Sequence, residues 1–430
     1  MVLDITIEKL TAKAAVLLAA LAVIMLLALA SVSNFIIGVL TDERVVAARD
    51  MLATAAEYFP NSARLNAALA KAEMAEQERN IEQAENYARK ATNLSPSDYN
   101  YQLLLGTVQE AKGSREEAER AIRRALVLAP NNTNVHWRLA NLLLRRGKIT
   151  ESLNEFRIVT SANFSLLSST LDLIWQASGG KVEAVDAITG NDSKARLMLA
   201  QFLLSKSQAQ QAANTFAAVD RQVRLQSAET TAFLSALIAA GQAKIAREMW
   251  IDTLGYGSAS ATDQPIVWNG GFESDSLNGL NHFDWNITTT SYARVGISND
   301  AARTGARSLR VDFLGRDTTR LENEVKQLIS VRPGARYRLE CFAKSEQLAT
   351  PEGPRVTVVD PNTGRIIATS EPVAEGTSDW RRLTLEFVSP SDVQSLLITI
   401  KRTPKYSYDD PTRGTVRFDD FTLIEQGGSK

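Results

Sequence analysis

Small and apolar residues recur every 34 positions through the middle third of the chain. In the unit that begins at Tyr99, places 8, 15, 20, 27 and 32 hold Gly106, Gly113, Ala118, Ala125 and Pro130. The unit that begins at Thr133 repeats the pattern, and two further units begin at Ser193 and Ser227, again 34 positions apart. Small residues at places 8 and 20 let two antiparallel helices approach, while glycine permits the turn and proline ends the second helix. The pattern predicts an all-α stack of helical hairpins, in which each hairpin buries its apolar face against the next.

About six such hairpins fit the range 41–254. The opening hairpin has Arg79 where glycine is usual, and a shortened hairpin lies near Ser165. The 34-residue period and its small residues resemble the tetratricopeptide repeat family from Pro60 to Leu254. The resemblance implies an open solenoid that binds a protein partner along a polar groove. By their place in the repeat, the residues expected to line this groove are Gln102, Gln109, Asn134, Arg138, Asn141 and Arg145.

The N-terminal segment Ala14–Leu40 contains no charged residue over 27 positions, after a short flank of residues 1–13. This length exceeds the roughly 20 residues that cross a bilayer as a helix, and it predicts a transmembrane anchor. A cleaved signal peptide is the alternative, because Ala28 and Ala30 before Ser31 form a processing-type site. The apolar character resumes at Phe35, which favours the anchor. Two basic residues flank each side, so charge does not decide the orientation.

A change of composition follows Gly255, where residues 255–264 have the character of a flexible linker. Beyond them, residues 265–426 contain short segments that alternate with period two, such as Ser308–Leu314 and Arg382–Val388, separated by Pro and Gly turns. About ten strands of this kind predict an all-β sandwich, most plausibly a jelly roll. The predicted fold is therefore multidomain, with an N-terminal helix, a helical solenoid and a C-terminal sandwich.

Several landmarks of this region occur in a fixed order from Asn269–Glu273 at its start to Phe418–Leu423 at its end, with Trp285, Tyr337 and Trp380 between them. In that order they resemble the jelly-roll carbohydrate-binding modules attached to xylanases and cellulases. Those modules stack sugars on exposed aromatic rings, and such a set is not evident here. The candidates for sugar contacts are Tyr406 and Tyr408 in a polar loop, followed by Trp268 and Tyr292. Trp285, Tyr337 and Trp380 are expected in the core.

The closing strand carries a carboxylate in an unusual place. With period two, Asp419 shares a face with Phe421 and Leu423, which predicts that it points inward. A buried carboxylate needs a partner, and two carboxylates near backbone carbonyls suit calcium. The resemblance implies a structural Ca²⁺ held by Glu273 and Asp419, with Asp420 beside them. In the alternative, Asp419 accepts backbone N–H bonds or pairs with an arginine.

The composition argues against two classes of function. The net charge is −1, so nucleic acid is not an expected partner. The chain lacks the common nucleophile, phosphate-loop and zinc motifs, and the expectation is that it has no catalytic residues and is not an enzyme. Of the two histidines, His136 is expected to be structural and His282 an ordinary surface residue. The only cysteine, Cys341, is expected to be a buried free thiol.

The combined architecture favours a membrane-anchored scaffold or adaptor that binds a protein partner through its repeats and a polysaccharide through its sandwich. This combination resembles accessory proteins of bacterial surface-polysaccharide production or secretion, and it implies a single-pass protein with an extracytoplasmic bulk. One alternative is a glycan-active enzyme or its targeting subunit. Another is a purely protein-binding adaptor whose sugar module is degenerate.

Overall fold

The computed structural model describes residues 2–42, 49–75, 80–256, 264–275 and 279–427, with side chains from residue 14 onward. The chain divides into two compact units, Met1–Ile188 and Thr189–Lys430. The boundary falls within the helical repeats. The second unit therefore contains both the last helices and the sandwich. Most of the predicted linker, residues 257–263, lies outside the described residues, as do Arg79 and the basic Arg44.

The first unit is entirely helical in the described residues. Its helices are α1 (Val2–Leu40), α2 (Arg49–Tyr58), α3 (Ala63–Ala75), α4 (Ile81–Leu94), α5 (Tyr99–Lys112), α6 (Arg115–Leu128), α7 (Thr133–Arg145), α8 (Ile149–Ala162), α9 (Leu167–Ala177) and α10 (Val182–Thr189). Helices α3 to α8 form consecutive pairs, and α9 and α10 lie where the shortened hairpin is predicted. The helical-repeat prediction is confirmed.

The small residues act at the helix crossings as the spacing predicts. A Cβ atom at Gly106 would lie 2.5 Å from Ile122 Cγ1, so a larger residue would push α5 away from α6. Gly113 ends α5 in the left-handed region, with φ of 93°. A cluster of buried side chains then joins three successive helices, and it consists of Leu103, Ala118, Ile122, Ala125, Val135, Leu139, Leu142 and Leu143. This seam makes each hairpin depend on the next.

Helix α1 includes the uncharged 27-residue segment Ala14–Leu40 and is the one helix of the described residues long and apolar enough to cross a bilayer. A signal sequence would satisfy the same criterion. The last turn of α1 is different, because Ile37 is buried in a cluster with Leu52, Leu65 and Leu69 of α2 and α3. The segment after the predicted processing site is therefore helical and packs against the first hairpins.

The second unit begins with helices α11 (Ser193–Ser205), α12 (Ala209–Ala217), α13 (Arg221–Gln226), α14 (Ala228–Ala239) and α15 (Ala243–Leu254). Ten strands follow: β1 (Asn286–Ile287), β2 (Ala293–Ser298), β3 (Ser308–Leu314), β4 (Val325–Ser330), β5 (Arg336–Ala349), β6 (Arg355–Val359), β7 (Ile366–Thr369), β8 (Gly376–Val388), β9 (Ser395–Lys401) and β10 (Arg413–Gln426). The first sheet has the order β1-β4-β9-β6-β7 and the second β2-β3-β10-β5-β8, and both are antiparallel. The predicted sandwich is confirmed.

The core of the sandwich lies between the two sheets, where the inward residues of alternating strands meet. Trp285 and Tyr337 are buried there as predicted. The prediction that Trp380 lies in the core is wrong, because its side chain is only half-buried and is absent from the core cluster. The pairing of β8 with β5 is irregular between Ser378 and Arg381, so the inward alternation of Leu383, Leu385 and Phe387 does not continue to Trp380.

Candidate functional site

The predicted carboxylates come together at one end of the sandwich. A Cβ atom at Gly271 would lie 3.7 Å from Asp419 Oδ1, 3.7 Å from Asp420 Oδ1 and 3.8 Å from Glu273 Cγ. The opening segment 269–275, which contains Glu273, is not a strand. It still lies beside β10, because the Phe421 N–H donates to Gly270 O at 2.9 Å.

Asp419 is buried as predicted but for a different reason. Phe418 and Phe421 both belong to the core, so the period of two is broken between them. The pairing of β10 with β5 contains an irregularity between Asp419 and Thr422, and Asp420 has a φ of 50°. This bulge directs Asp419 away from the core. The loop before β3 covers it, and its Oδ2 accepts from the N–H of Arg303 at 2.7 Å and of Thr304 at 3.4 Å.

The charge of this cluster favours a cation, although some of its carboxylate oxygens already have protein partners. Burial raises the pKa of Asp419, although backbone N–H donors oppose the rise, and this carboxylate has no ion pair within the described residues. Glu273 Oε1 accepts two N–H bonds, both at 2.9 Å, and Arg303 pairs with Asp420 at 2.6 Å. The donor set therefore has the oxygens and the charge that calcium prefers. Within the described part of the chain, no three acidic, histidine or cysteine residues are spaced to hold a metal. The calcium site stays a prediction.

A second site is a cleft on the outer face of the first sheet. It has a volume of about 290 Å³ and is lined by Glu352, Gly353, Arg355, Thr357, Ile366, Thr369, Lys401, Thr403, Pro404 and Lys405. The alternate residues Val356, Ile398 and Ile400 point into the core, which places Arg355, Thr357 and Lys401 on the outer face. We call this site the basic cleft, because three cations and one carboxylate line it.

A buried ion pair fixes the two rims of the basic cleft. The Arg402 and Asp410 side chains are fully buried and paired with each other. Arg402 Nε also donates to Glu352 O at 3.1 Å on one rim, while Asp410 Oδ2 accepts the Tyr406 N–H at 2.6 Å on the other. Burial raises the pKa of Asp410, but Arg402 and the N–H donors outweigh it and hold the pKa below its ordinary value. The loop is thus held in one shape by interior contacts.

The predicted aromatic contacts divide into two groups. Tyr406 and Tyr408 are exposed on the loop beside the basic cleft, as a sugar contact requires. Trp268 is half-buried between Trp250 and Tyr256, with ring centroids 5.1 and 5.3 Å away, so its faces are already used in packing. Tyr292 is half-buried next to β2. Of the four rings, Tyr406 and Tyr408 are the more exposed, and their contact with sugar stays a prediction.

The groove residues also divide. Asn134, Arg138 and Arg145 are exposed on α7, and Asn141 is half-buried. Gln102 and Gln109 do not line an open groove as expected, because both side chains are buried. Gln109 Nε2 donates to Glu117 Oε2 at 3.2 Å and therefore takes part in the packing of the stack.

A network of ion pairs in the stack follows the 34-residue period, and the sequence analysis missed it. Glu85 pairs with Arg89 at 2.6 Å and with Lys112 at 2.8 Å. Glu119, 34 positions later, pairs with Arg123 at 2.8 Å and with the cation of Arg146, 34 positions after Lys112. Both glutamates are nearly buried, and the cations hold the pKa of each below its ordinary value although burial raises it. The recurrence of Glu, Arg and a basic residue was the signal available in the sequence.

The remaining candidates have structural roles. His136 is buried, with Nδ1 at 2.6 Å from Glu155 Oε2 and Nε2 at 2.8 Å from Pro130 O, as predicted. His282 is not the ordinary surface residue that was expected. Its Nε2 lies 3.0 Å from Ser235 Oγ of α14, and burial lowers its pKa. Cys341 is a buried free thiol.

Comparisons with known proteins agree with this architecture. Residues 19–178 match the family model of a tetratricopeptide repeat, and residues 264–407 match that of a carbohydrate binding domain. The chain therefore has one region similar to tetratricopeptide repeats and another similar to a carbohydrate-binding domain. Neither of these families is catalytic. A comparison with curated proteins found no match.

Solved structures are similar to separate parts of the chain. A CBM4 structure is 19% identical and covers 37% of this chain and 99% of its own, with a TM-score of 0.28. YrrB, a TPR protein with an unusual peptide-binding site, is 18% identical and covers 50% of this chain and 98% of its own, with a TM-score of 0.26. The pilF protein of Pseudomonas aeruginosa is 19% identical and covers 49% of this chain and 85% of its own, with a TM-score of 0.25.

Proposed function

We propose that this protein is a membrane-anchored adaptor that holds a protein partner on its repeats and a polysaccharide on its carbohydrate-binding domain. The observation that carries the proposal is the basic cleft, an open site whose rims are fixed by the Arg402–Asp410 pair. A preformed, concave surface with hydroxyls and charged groups is what an extended sugar chain requires. The repeats contribute a second binding surface on the same chain.

The partner surface is the exposed face of α7. Arg138 and Arg145 project from this face, and Asn134 lies one turn before Arg138. Such a polar strip suits a peptide segment or an acidic helix. The Arg145 guanidinium pairs with Glu110 at 2.6 Å, whereas Arg138 has no ion pair within the described residues. Arg138 is therefore the better residue to change.

The anchor supports a place at the cell surface. The uncharged 27-residue segment of α1 suits a membrane span, and Ile37 and Leu40 at its end pack with the first hairpins. We place the bulk of the chain on the extracytoplasmic side, where a surface polysaccharide is made or exported, with the protein as a non-catalytic member of that system.

Retention assays test the glycan part of this proposal. The full chain in detergent is passed over immobilised polysaccharides of several classes, and the flow-through is analysed for released oligosaccharides. We expect retention without product. Released oligosaccharides would instead favour the glycan-active enzyme, and no retention on any polymer would favour the purely protein-binding adaptor.

Crosslinking and affinity capture from membranes test the protein part. Arg138→Glu reverses the charge of the exposed strip, so we expect it to lose the neighbours that the wild type captures. Arg120→Glu on α6, whose side chain is 71% exposed, is the control for charge reversal elsewhere in the stack. Equal capture by both variants would exclude this face of α7.

A further inference from the structure

The cations of the basic cleft are placed against one another. Arg355 of β6 and Lys401 of β9 are direct cross-strand partners, and both lie on the outer face of the sheet. Like charges in this position repel and weaken a sheet unless an anion lies between or above them. The repulsion between these two cations lowers the stability of the sheet, and the sheet holds two positive charges side by side at the floor of an open site.

Acidic side chains neutralise this charge only in part. Glu352 is the one carboxylate of the lining, and it pairs with Arg355 at 2.5 Å. Lys401 and Lys405 have no acidic partner within the described residues. The amine of Lys405 lies 5.6 Å from the centre of the Tyr406 ring, at the rim. Two ammonium groups are therefore available to a ligand.

The rest of the lining suits a sugar chain with charged substituents. Thr357, Thr369 and Thr403 offer hydroxyls, while no aromatic ring is among the lining residues of the cleft. Neutral sugars depend on stacking with rings, and acidic sugars gain affinity from charge-assisted bonds to lysine and arginine.

We propose that the basic cleft binds an acidic polysaccharide, with Lys401, Lys405 and Arg355 contacting the carboxylate or sulfate groups of successive sugar units. The inference rests on the proposed function, because it names the class of glycan for that same site. Arg402 is a positioning residue, since its guanidinium is buried and holds the rims without reaching the ligand.

The experiment compares two polymers that share a backbone. Polygalacturonate carries a carboxylate on each unit, and its fully methyl-esterified form is neutral. Binding of the full chain in detergent is measured by calorimetry at low and at moderate salt. We expect binding to polygalacturonate that weakens as the salt rises, because mobile ions screen exposed charges. Binding to the neutral form should be at least tenfold weaker (a factor of about 10 is the order expected for lost charge-assisted contacts).

Variants locate the site. Lys401→Gln and Lys405→Gln should each weaken binding about five- to tenfold, which is the order of one charge-assisted contact. Lys344→Gln makes the same change on the second sheet, where the side chain lies 3.9 Å from Asp379, and should leave binding unchanged. Thermal melting of each variant shows that it is folded, so that weaker binding reports the contact.

The outcomes separate this inference from the proposed function. Equal affinity for the acidic and neutral polymers would overturn the acidic preference and leave glycan binding intact. Retention of neither polymer, nor of any other in the panel, would overturn both. Tighter binding to a single-stranded polynucleotide, or losses with Lys344→Gln equal to those with Lys401→Gln, would also overturn the inference.

Discussion

At the scale of single residues, the pair of Arg402 and Asp410 has the largest predicted effect. Asp410→Asn would leave the Arg402 guanidinium buried without its counter-charge, which costs about 3–5 kcal/mol in comparable sites. Chemical denaturation measures the loss. Asp409→Asn is the control, since Asp409 is exposed and its φ of 48° is one that asparagine tolerates. Equal stability of the two variants would show that the pair does not hold the loop.

The same residue predicts a dependence on pH. The pKa of Asp410 in the folded chain lies below that of the unfolded chain, so the pair stabilises the fold fully above about pH 4. Stability is then lost as the pH falls further toward the folded-state pKa. Asp410→Asn should show a smaller loss over this interval than the wild type, and an identical acid profile for the two proteins would contradict the assignment.

Glu273 offers a direct test of the calcium prediction. Glu273→Gln keeps an oxygen that can accept from Ala306 and Arg307 but removes the charge that a cation needs. We expect calcium to raise the Tm of the wild type relative to a chelator, because binding to the folded state stabilises it. The variant should lose this shift while its Tm in chelator is unchanged. No effect of calcium on the wild type would favour the alternative in which N–H bonds alone satisfy Asp419.

At the scale of helices and strands, the sequence predicts periods well and local breaks in them poorly. The limits of β3 agree with the alternation over Ser308–Leu314, because Leu309, Val311 and Phe313 are buried at a period of two. The bulge in β10 adds a residue, so counting by two placed Asp419 on the wrong face. Trp380 was misassigned for a related reason, because the pairing of β8 with β5 is irregular between Ser378 and Arg381. The buried Gln109 shows that repeat position alone does not fix exposure.

The ion pairs of the stack yield a prediction at this scale. Glu119→Gln removes the charge that Arg123, Arg146 and Lys148 share, and we expect a loss of about 2 kcal/mol, the order for hydrogen bonds to charged groups. Urea denaturation of the variant measures it. Glu116→Gln is the matched control, because the Glu116 side chain is 69% exposed and such pairs contribute little. A similar loss of stability in both variants would mean that the periodic ion pairs do not specifically stabilise the contact between hairpins.

At the scale of the whole molecule, the contacts of the second unit tie its last hairpin to the sandwich. Trp250 of α15 is fully buried, and its Nε1 donates to Leu280 O at 2.6 Å. The Thr231 hydroxyl of α14 donates to Gly279 O at 2.8 Å. These contacts explain why the compact unit includes repeats and sandwich together. The composition change after Gly255 coincides with the change from helices to strands, but it is not the boundary between the two compact units.

The location of this unit relative to the membrane is the last prediction. Cys341 is buried, and burial raises the pKa of its thiol, so the native chain offers no reactive thiolate to a labelling reagent. Ser391→Cys places a single thiol on an exposed turn of the sandwich. With a membrane-impermeant maleimide, we expect this variant to be labelled in intact spheroplasts and the wild type to be labelled only after denaturation. Labelling of Ser391→Cys that needs lysis would place the sandwich on the cytoplasmic side and exclude an exported glycan as its ligand.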